Sequence, residues 1–185
     1  MDIKKIKRIE REKFKKLRDK SSLVEKNNVQ KNVEIFIKSF SKESLLKKYI
    51  AIYWPLRGEI DLRMLKQNYR VALPKCNPMK KIDFYSWDTI TTENDFEGIP
   101  SPKNGNLLDS KDLSLILVPC LSIDKALIRL GYGGGYYDKL RSDPVWRSIQ
   151  CLGILTDNCV SNNFLKRADW DIPLSGYITD KKILV

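Results

Sequence analysis

Residues 113–138 read LSLILVPCLSIDKALIRLGYGGGYYD, and the rest of the chain is organised around them. Leu113 to Val118 is the most strongly apolar run in the sequence and is closed by Pro119. A run of that length and character suits a strand covered on both faces, the central strand of a parallel sheet. Beyond it come Asp124 and Arg129, and then four of the nine glycines fall within residues 131–135. Ordering a glycine costs more backbone entropy than ordering any other residue, so glycines gather where φ is positive or the backbone must approach something closely. A phosphate is the obvious thing to approach. Successive N–H groups can form an anion-holding nest, and a helix beginning near Tyr136 adds its positive end. Arg129 would supply a permanent charge, and Asp138 in the first helical turn could hold a Mg2+ that bridges phosphate oxygens. The plainer alternative is a glycine-rich turn with two packed tyrosines, in which Asp138 complements the helix dipole. Two common nucleotide loops are excluded: a dinucleotide fingerprint starting at Gly131 would need glycine where Tyr136 stands, and no G-x-x-x-x-G-K-[ST] run occurs.

Working outward, Tyr49 to Trp54 reads as a strand stopped by Pro55, with a turn at Arg57-Gly58. Asp61 is placed to cap a short helix to Asn68, and Tyr69 to Leu73 forms a second strand ended by Pro74. That is a βαβ unit, which implies parallel strands. Ligands of such sheets sit beyond the carboxyl ends of the strands, where Trp54 and Glu59 lie. Met79 to Trp87 is expected as an edge strand and Thr89 to Asp112 as a long loop of the kind that often carries function. Pro144 ends the helix after the glycines. Ile149 to Leu155 and Tyr177 to Thr179 are further strands, joined by a partly helical connection through Phe164 and Leu165. At the N-terminus, residues 3–20 form a basic helix with Ile6, Ile9, Phe14 and Leu17 on one stripe. Ser22 and Glu25 make a capping box for a second helix running to about Phe40. The expected fold is α/β: a single Rossmann-like three-layer domain over residues 1–185, with a mostly parallel sheet and a basic N-terminal helix.

The 185 residues contain no histidine, which excludes Ser-His-Asp and Cys-His nucleophiles, H-E-x-x-H metal sites and histidine bases together. Phosphoryl transfer suits such a chain, because it depends on positioning and cations more than on a protein base. The four cysteines show no C-x-x-C pair, so reduced thiols are expected. No stretch of 18 apolar residues occurs and no apolar segment follows the charged N-terminus, so the expectation is a cytoplasmic protein without a membrane partner. The net charge of +11 is unevenly placed: residues 1–48 hold 16 Lys and Arg against 7 Asp and Glu, the remainder 18 against 16. Charge alone is compatible with a solvated basic helix, nucleic acid, a membrane surface or a polyanionic ligand.

The chain resembles the 5-formyltetrahydrofolate cyclo-ligase (methenyltetrahydrofolate synthetase) family. Its signature is an apolar strand ending in Pro, then an Asp, then R-L-G-x-G-x-G-Y-Y-D, here Leu115 to Pro119, Asp124, and Arg129 through Asp138. Further matches are Tyr53-Trp54-Pro55 with Gly58-Glu59-Ile60, Val71 to Pro74, Gly98-Ile99-Pro100, and Asp171 with Ile178-Thr179-Asp180. Four positions depart from the family pattern: Ser101 for an acid, Leu127 for a glycine, Cys159 for a glutamine and Trp170 for a histidine. The resemblance implies ATP-dependent closure of 5-formyltetrahydrofolate to 5,10-methenyltetrahydrofolate, with ATP and Mg2+. It implies nucleotide contacts from Lys7, Arg11, Arg129, Gly131, Gly133, Gly134, Gly135, Tyr136 and Tyr137. Folate would lie against Trp54, Glu59, Tyr132 and Tyr136, Mg2+ on Asp138 and Asp171, and Arg129 and Tyr136 would act in catalysis. Lys7 and Arg11 belong to a basic helix pattern whose third member is Arg18. The rival readings are another ATP-using transferase on the same fold and a basic nucleic-acid-binding module. Aromatic residues are not interleaved with the basic run, which argues against specific nucleic-acid binding, and a monomer is expected.

Overall fold

The computed structural model describes residues 2–40, 48–89 and 91–185. Helix α1 (Ile3–Asp19) starts on the Asp2 side chain, which accepts from Lys4 N at 3.3 Å, and ends with Lys16 and Arg18 in its last turn, where cations oppose the negative helix end. Helix α2 (Leu23–Lys38) opens on the capping box, Ser22 and Glu25 each satisfying the other's backbone N–H. Val29, Val33, Phe36 and Ile37 are its buried face, spaced as one stripe of a helix.

The strands follow as β1 (Tyr49–Ala51), β2 (Val71–Cys76), β3 (Ile82–Ser86), β4 (Thr92–Asn94), β5 (Pro100–Pro102), β6 (Leu107–Leu108), β7 (Leu113–Pro119), β8 (Ser122–Ile123) and β9 (Arg129–Leu130). Helices α3 (Tyr136–Ser142) and α4 (Pro144–Arg147) come next, then β10 (Cys151–Ile154), β11 (Gly176–Ile178) and β12 (Ile183–Leu184). Eight strands form one sheet in the order β12-β11-β10-β7-β1-β2-β3-β6. The run from β11 to β2 is parallel, and the flanking β12, β3 and β6 are antiparallel. The apolar run at 113–118 is thus interior to the sheet, between β10 and β1.

Side chains alternate across that sheet. Ile50, Leu115, Leu117, Leu152 and Ile154 face α2 and Leu65 of the 3-10 turn Arg63–Gln67. Ala51, Ile116, Val118 and Cys151 face Leu140 of α3 and Trp146 of α4. This is the three-layer arrangement. A third cluster joins Phe14 of α1 to Leu121, Ile128, Leu130 and Leu165, so α1 packs on the segment that leads into the glycines.

Several expectations are corrected. β1 ends at Ala51 rather than Trp54, and β2 continues through Pro74. Ile52 N donates to Ala72 O at 2.9 Å, but Pro74 has no N–H with which to extend the parallel ladder, and the chain after Ile52 leaves the sheet. The N-cap position of the 3-10 turn is Leu62 rather than Asp61, and Asp61 from one residue earlier accepts from the Arg63 N–H at 2.9 Å and from its guanidinium. β3 is not an edge strand, because β6 covers it. The expected loop at 89–112 contains the β4–β5 hairpin. Between β10 and β11 the helical turn is Asp157–Cys159, not at Phe164 or Leu165. Among the described residues no helix is long and apolar enough to cross a membrane.

Candidate active site

The site is built where β1, β2 and β7 release the chain. Asp124 shapes the approach: it is buried, with Oδ1 accepting from Ala126 N and Ile128 N, both at 2.9 Å, and Oδ2 from Leu165 N at 2.8 Å. A carboxylate satisfied this fully fixes the β8–β9 hairpin and sets Arg129 at its end. The hairpin turn holds Leu127 at φ +60°, the left-handed region that glycine adopts without cost, which explains why a glycine is expected there.

Arg129 is nearly buried. One Nη donates to Pro119 O at 3.1 Å, the other stands 3.6 Å from Asp138 Oδ1, and the guanidinium lies over the Tyr137 ring. Arg11, reaching from α1, donates through Nε to Gly131 O at 2.9 Å. The missing side chains are what allow this: a Cβ on Gly131 would stand 2.7 Å from an Arg129 Nη, and one on Gly133, at φ +103°, would stand 3.2 Å from Arg11 Cζ. Two guanidinium groups therefore lie against an exposed glycine backbone, which is a cradle for an anion. Gly135, at φ +75°, is the residue from which α3 starts.

Beside this loop lies a cavity of about 420 Å³ lined by the loop residues Gly133, Gly134 and Gly135, by Tyr53, Trp54 and Glu59 after β1, and by Arg129 and three tyrosines, Tyr132, Tyr136 and Tyr137. Pro74, Cys76, Ile82, Glu97 and Ile99 close the other side. Trp54 packs edge-on against Trp87 with centroids 5.9 Å apart, and Arg63 lies over its ring. Glu59 Oε2 accepts from Leu56 N at 2.7 Å, whereas Glu59 Oε1 and the Tyr53 hydroxyl are buried without a hydrogen-bond partner. Burial pushes the Glu59 carboxyl above its usual range, against the opposing pull of the Leu56 N–H, Tyr132, Arg18 and Arg129. Unsatisfied polar atoms in a cavity otherwise walled by aromatic rings are what a ligand with its own polar edge would complete. Tyr136 donates to Glu97, and that bond pushes its hydroxyl up to about 12, so it is a neutral donor at ordinary pH. Burial does the same to the Cys76 thiol, also to about 12, which leaves it inert.

Of the residues singled out in sequence, Trp54, Glu59, Arg129, Tyr132, Gly133, Gly134, Gly135, Tyr136 and Tyr137 line one cavity. Gly131 and Arg11 meet behind its loop. Lys7, Asp138 and Asp171 are not among the lining residues. Lys7 is ion-paired with Asp171, whose Oδ2 also accepts from Ala168 N at 2.6 Å. Asp138, with its side chain 30% exposed, is the more accessible of the two carboxylates. Among the described residues no three Asp, Glu, Cys or His side chains stand together as a metal site. Sequence reading missed Tyr53 and Glu97. Tyr53 lies inside the Tyr53-Trp54-Pro55 match, and Glu97 sits beside Gly98 in the long segment 89–112. Of the departures, Ser101 and Cys159 are buried, and Trp170 is 65% exposed next to Asp171.

A profile of the 5-formyltetrahydrofolate cyclo-ligase family matches residues 3–158. The chain is 34% identical over 138 residues to a 5-formyltetrahydrofolate cyclo-ligase of Haemophilus influenzae, covering 69% of this chain and 73% of that protein. It is 24% identical over 144 residues to the enzyme of the same name from Escherichia coli, covering 72% and 79%. Among solved structures, the 5,10-methenyltetrahydrofolate synthetase of Aquifex aeolicus superposes with a TM-score of 0.77 at 26% identity, over 97% of this chain and 92% of that one. A second synthetase, from Mycoplasma pneumoniae, shares the fold with a TM-score of 0.67 at 23% identity, over 97% and 99%.

Proposed function

The chain belongs to the 5-formyltetrahydrofolate cyclo-ligase family, and we propose that it closes 5-formyltetrahydrofolate to 5,10-methenyltetrahydrofolate with conversion of ATP to ADP and phosphate. The observation that supports this most is the join between the two halves of the site: a glycine loop backed by Arg11 and Arg129 opens directly into an aromatic cavity holding the unpartnered Glu59 Oε1. The first half suits a polyphosphate, the second a flat heterocycle with N–H donors on its edge.

The formyl oxygen attacks the γ-phosphorus, and the bond to the ADP oxygen breaks. N10 then adds to the activated formyl carbon, gives up its proton to water or to the departing phosphate, and the C–O bond to phosphate breaks, closing the ring. In this assignment Arg129, held by Pro119 O and Asp138, offsets charge that develops on the transferring phosphoryl group, and Arg11 and the loop N–H groups fix its position. Lys7 extends the cationic side, with Asp171 as its counter-ion. Tyr136 donates a hydrogen bond from the loop, and Trp54 and Tyr132 supply flat faces for the pterin and benzoyl rings. The residues fit Mg2+ through Asp138, since this ion takes one or two carboxylates and fills its remaining positions with water and phosphate. When bound there it would neutralise phosphate charge. The chain acts as a single domain and a monomer in this reading.

The test is to incubate the protein with 5-formyltetrahydrofolate and follow methenyl absorbance with and without ATP and Mg2+. Product is expected only with ATP, and none under any condition refutes the assignment.

A further inference from the structure

Arg18, in the last turn of α1, is 6% exposed and is not among the residues lining the cavity. It nonetheless connects to it. One Nη donates to the Tyr132 hydroxyl, the other reaches Asp19 Oδ1 at 3.3 Å, and the guanidinium lies 5.6 Å from the Tyr132 ring centroid. It also presses on the turn that carries Glu59: a Cβ on Gly58, at φ +87°, would stand 2.8 Å from Arg18 Nε. A tyrosine hydroxyl that accepts from an arginine keeps its own proton to donate, and Tyr132 lines the same cavity as Glu59. With Oε2 turned to Leu56 N, Glu59 keeps Oε1 without a partner in the wall of the cavity.

The burial of Arg18 is not explained by stability. Its Nε has no partner, its nearest carboxylate is the half-exposed Asp19, and a buried guanidinium so incompletely satisfied could be exchanged for an apolar side chain of like shape at little loss of stability. What such an exchange would remove is the link to Tyr132.

Resting on the assignment above, we propose that Arg18 is a positioning residue for the folate: it fixes the Tyr132 hydroxyl by a hydrogen bond and backs the Gly58 turn that carries Glu59, and so sets both residues in the cavity wall without touching the ligand itself. The groups that face Glu59 are Arg18 from α1, Tyr53 and the Leu56 N–H from the segment after β1, Arg129 from β9 and Tyr132 from the glycine loop. Burial already raises the Glu59 carboxyl, and Arg18 is one of two cations opposing it. Loss of Arg18 therefore raises it further. Folate binding, which requires the carboxylate, then fails at a higher pH than in the unaltered protein.

The experiment measures the Kd of 5-formyltetrahydrofolate by quenching of tryptophan fluorescence, without ATP, across the range from about pH 5 to 8, for the native chain, Arg18→Met, Tyr132→Phe and the double variant. A loss of up to roughly tenfold is expected for each single variant, the size of one hydrogen bond's net contribution, and for Arg18→Met it grows toward the acid end of the range. Arg18→Met should also move the fall in binding to higher pH, with ATP affinity retained, and the double variant should bind no more weakly than the weaker single one. An Arg18→Met protein that binds folate with native affinity and pH profile overturns the proposal. So does an additive double variant, or an equal loss of ATP affinity, since each would mean general loosening. Should Arg18→Met not fold, Tyr132→Phe decides alone: native binding by it is fatal to the proposal. Failure of the native chain to bind folate removes the assigned function itself, an outcome distinct from a native chain that binds and variants that do not differ.

Discussion

Gly134 and Gly135 are adjacent yet answer to different constraints. A Cβ on Gly134 would stand 2.9 Å from Tyr136 Cδ2, so any side chain there must displace the ring that lines the cavity and donates to Glu97. Gly135 has open space around its Cβ position but a φ of +75°, so substitution there meets backbone strain alone, on the order of 1–2 kcal/mol. Gly135→Ala should therefore lower Tm by several degrees, at ~2–4 °C per kcal/mol for a chain of this size. Gly134→Val should weaken ATP binding by far more than its loss of Tm would suggest. Calorimetric titration beside thermal melts separates the two, and native ATP affinity in a destabilised Gly134→Val protein would rule out a phosphate site at this loop. The two aspartates make a similar contrast. Asp138→Asn should raise the Mg2+ concentration needed for turnover with little loss of stability, because its ion partner is 3.6 Å away and its side chain part-exposed. Asp171→Asn leaves Lys7 without its counter-ion and should raise the KM for ATP instead. Equal shifts in Mg2+ requirement for both variants would return the metal role to the pair.

Among the elements, α1 does what an amphipathic basic helix need not do: it sends Lys7 to Asp171, Arg11 to Gly131 and Arg18 to Tyr132 while Phe14 anchors it in the core. α2 by contrast has its buried face on the sheet, in the hydrophobic cluster that also holds Tyr53 and Trp54. The Ser22 capping box links the two roles. Ser22→Ala removes its side-chain bond to Glu25 N and should cost about 1 kcal/mol, seen as a fall in Tm with KM values unchanged. Arg11→Gln should do the reverse, raising the KM for ATP with a small change in Tm, because the Arg11 bond to Gly131 O organises the loop rather than the core. If Ser22→Ala altered KM as strongly as Arg11→Gln, the helices would not be separable in this way. The β4–β5 hairpin is the other element with a role beyond packing, since Asp95 holds it to Cys76 N at 2.8 Å and so presents Glu97 to Tyr136.

At the scale of the whole molecule, the charge of +11 lies mainly on the N-terminal segment, and the cations of α1 that turn inward are engaged with Asp171, Gly131 and Tyr132. What remains outward, Lys4, Lys5, Arg8, Lys13, Lys15 and Lys16, is a solvated face. Nucleic acid should bind it weakly, with affinity falling at least tenfold between about 50 and 200 mM salt as counterion release predicts. Tight, sequence-selective binding at physiological salt, measured by anisotropy, would contradict this.

By itself the sequence determined the elements whose signals are local. The capping box of α2, the apolar run of β7 and the glycine cluster each act within a few residues of backbone, so their readings held against the structure. The parallel pairing of β1 with β2 followed as well, because a crossover connection between neighbouring strands permits little else. Tertiary structure alone decided the rest. That β1 ends early depends on the N–H that Pro74 lacks on the neighbouring strand, and that Glu97 enters the site depends on a hairpin held by Asp95. The pairing of Lys7 with Asp171 joins residues 164 positions apart, and that of Arg18 with Tyr132 joins residues 114 apart. No periodicity records such pairings, because they arise only when packing of apolar faces brings distant charges within a few ångströms of each other and burial obliges them to find partners.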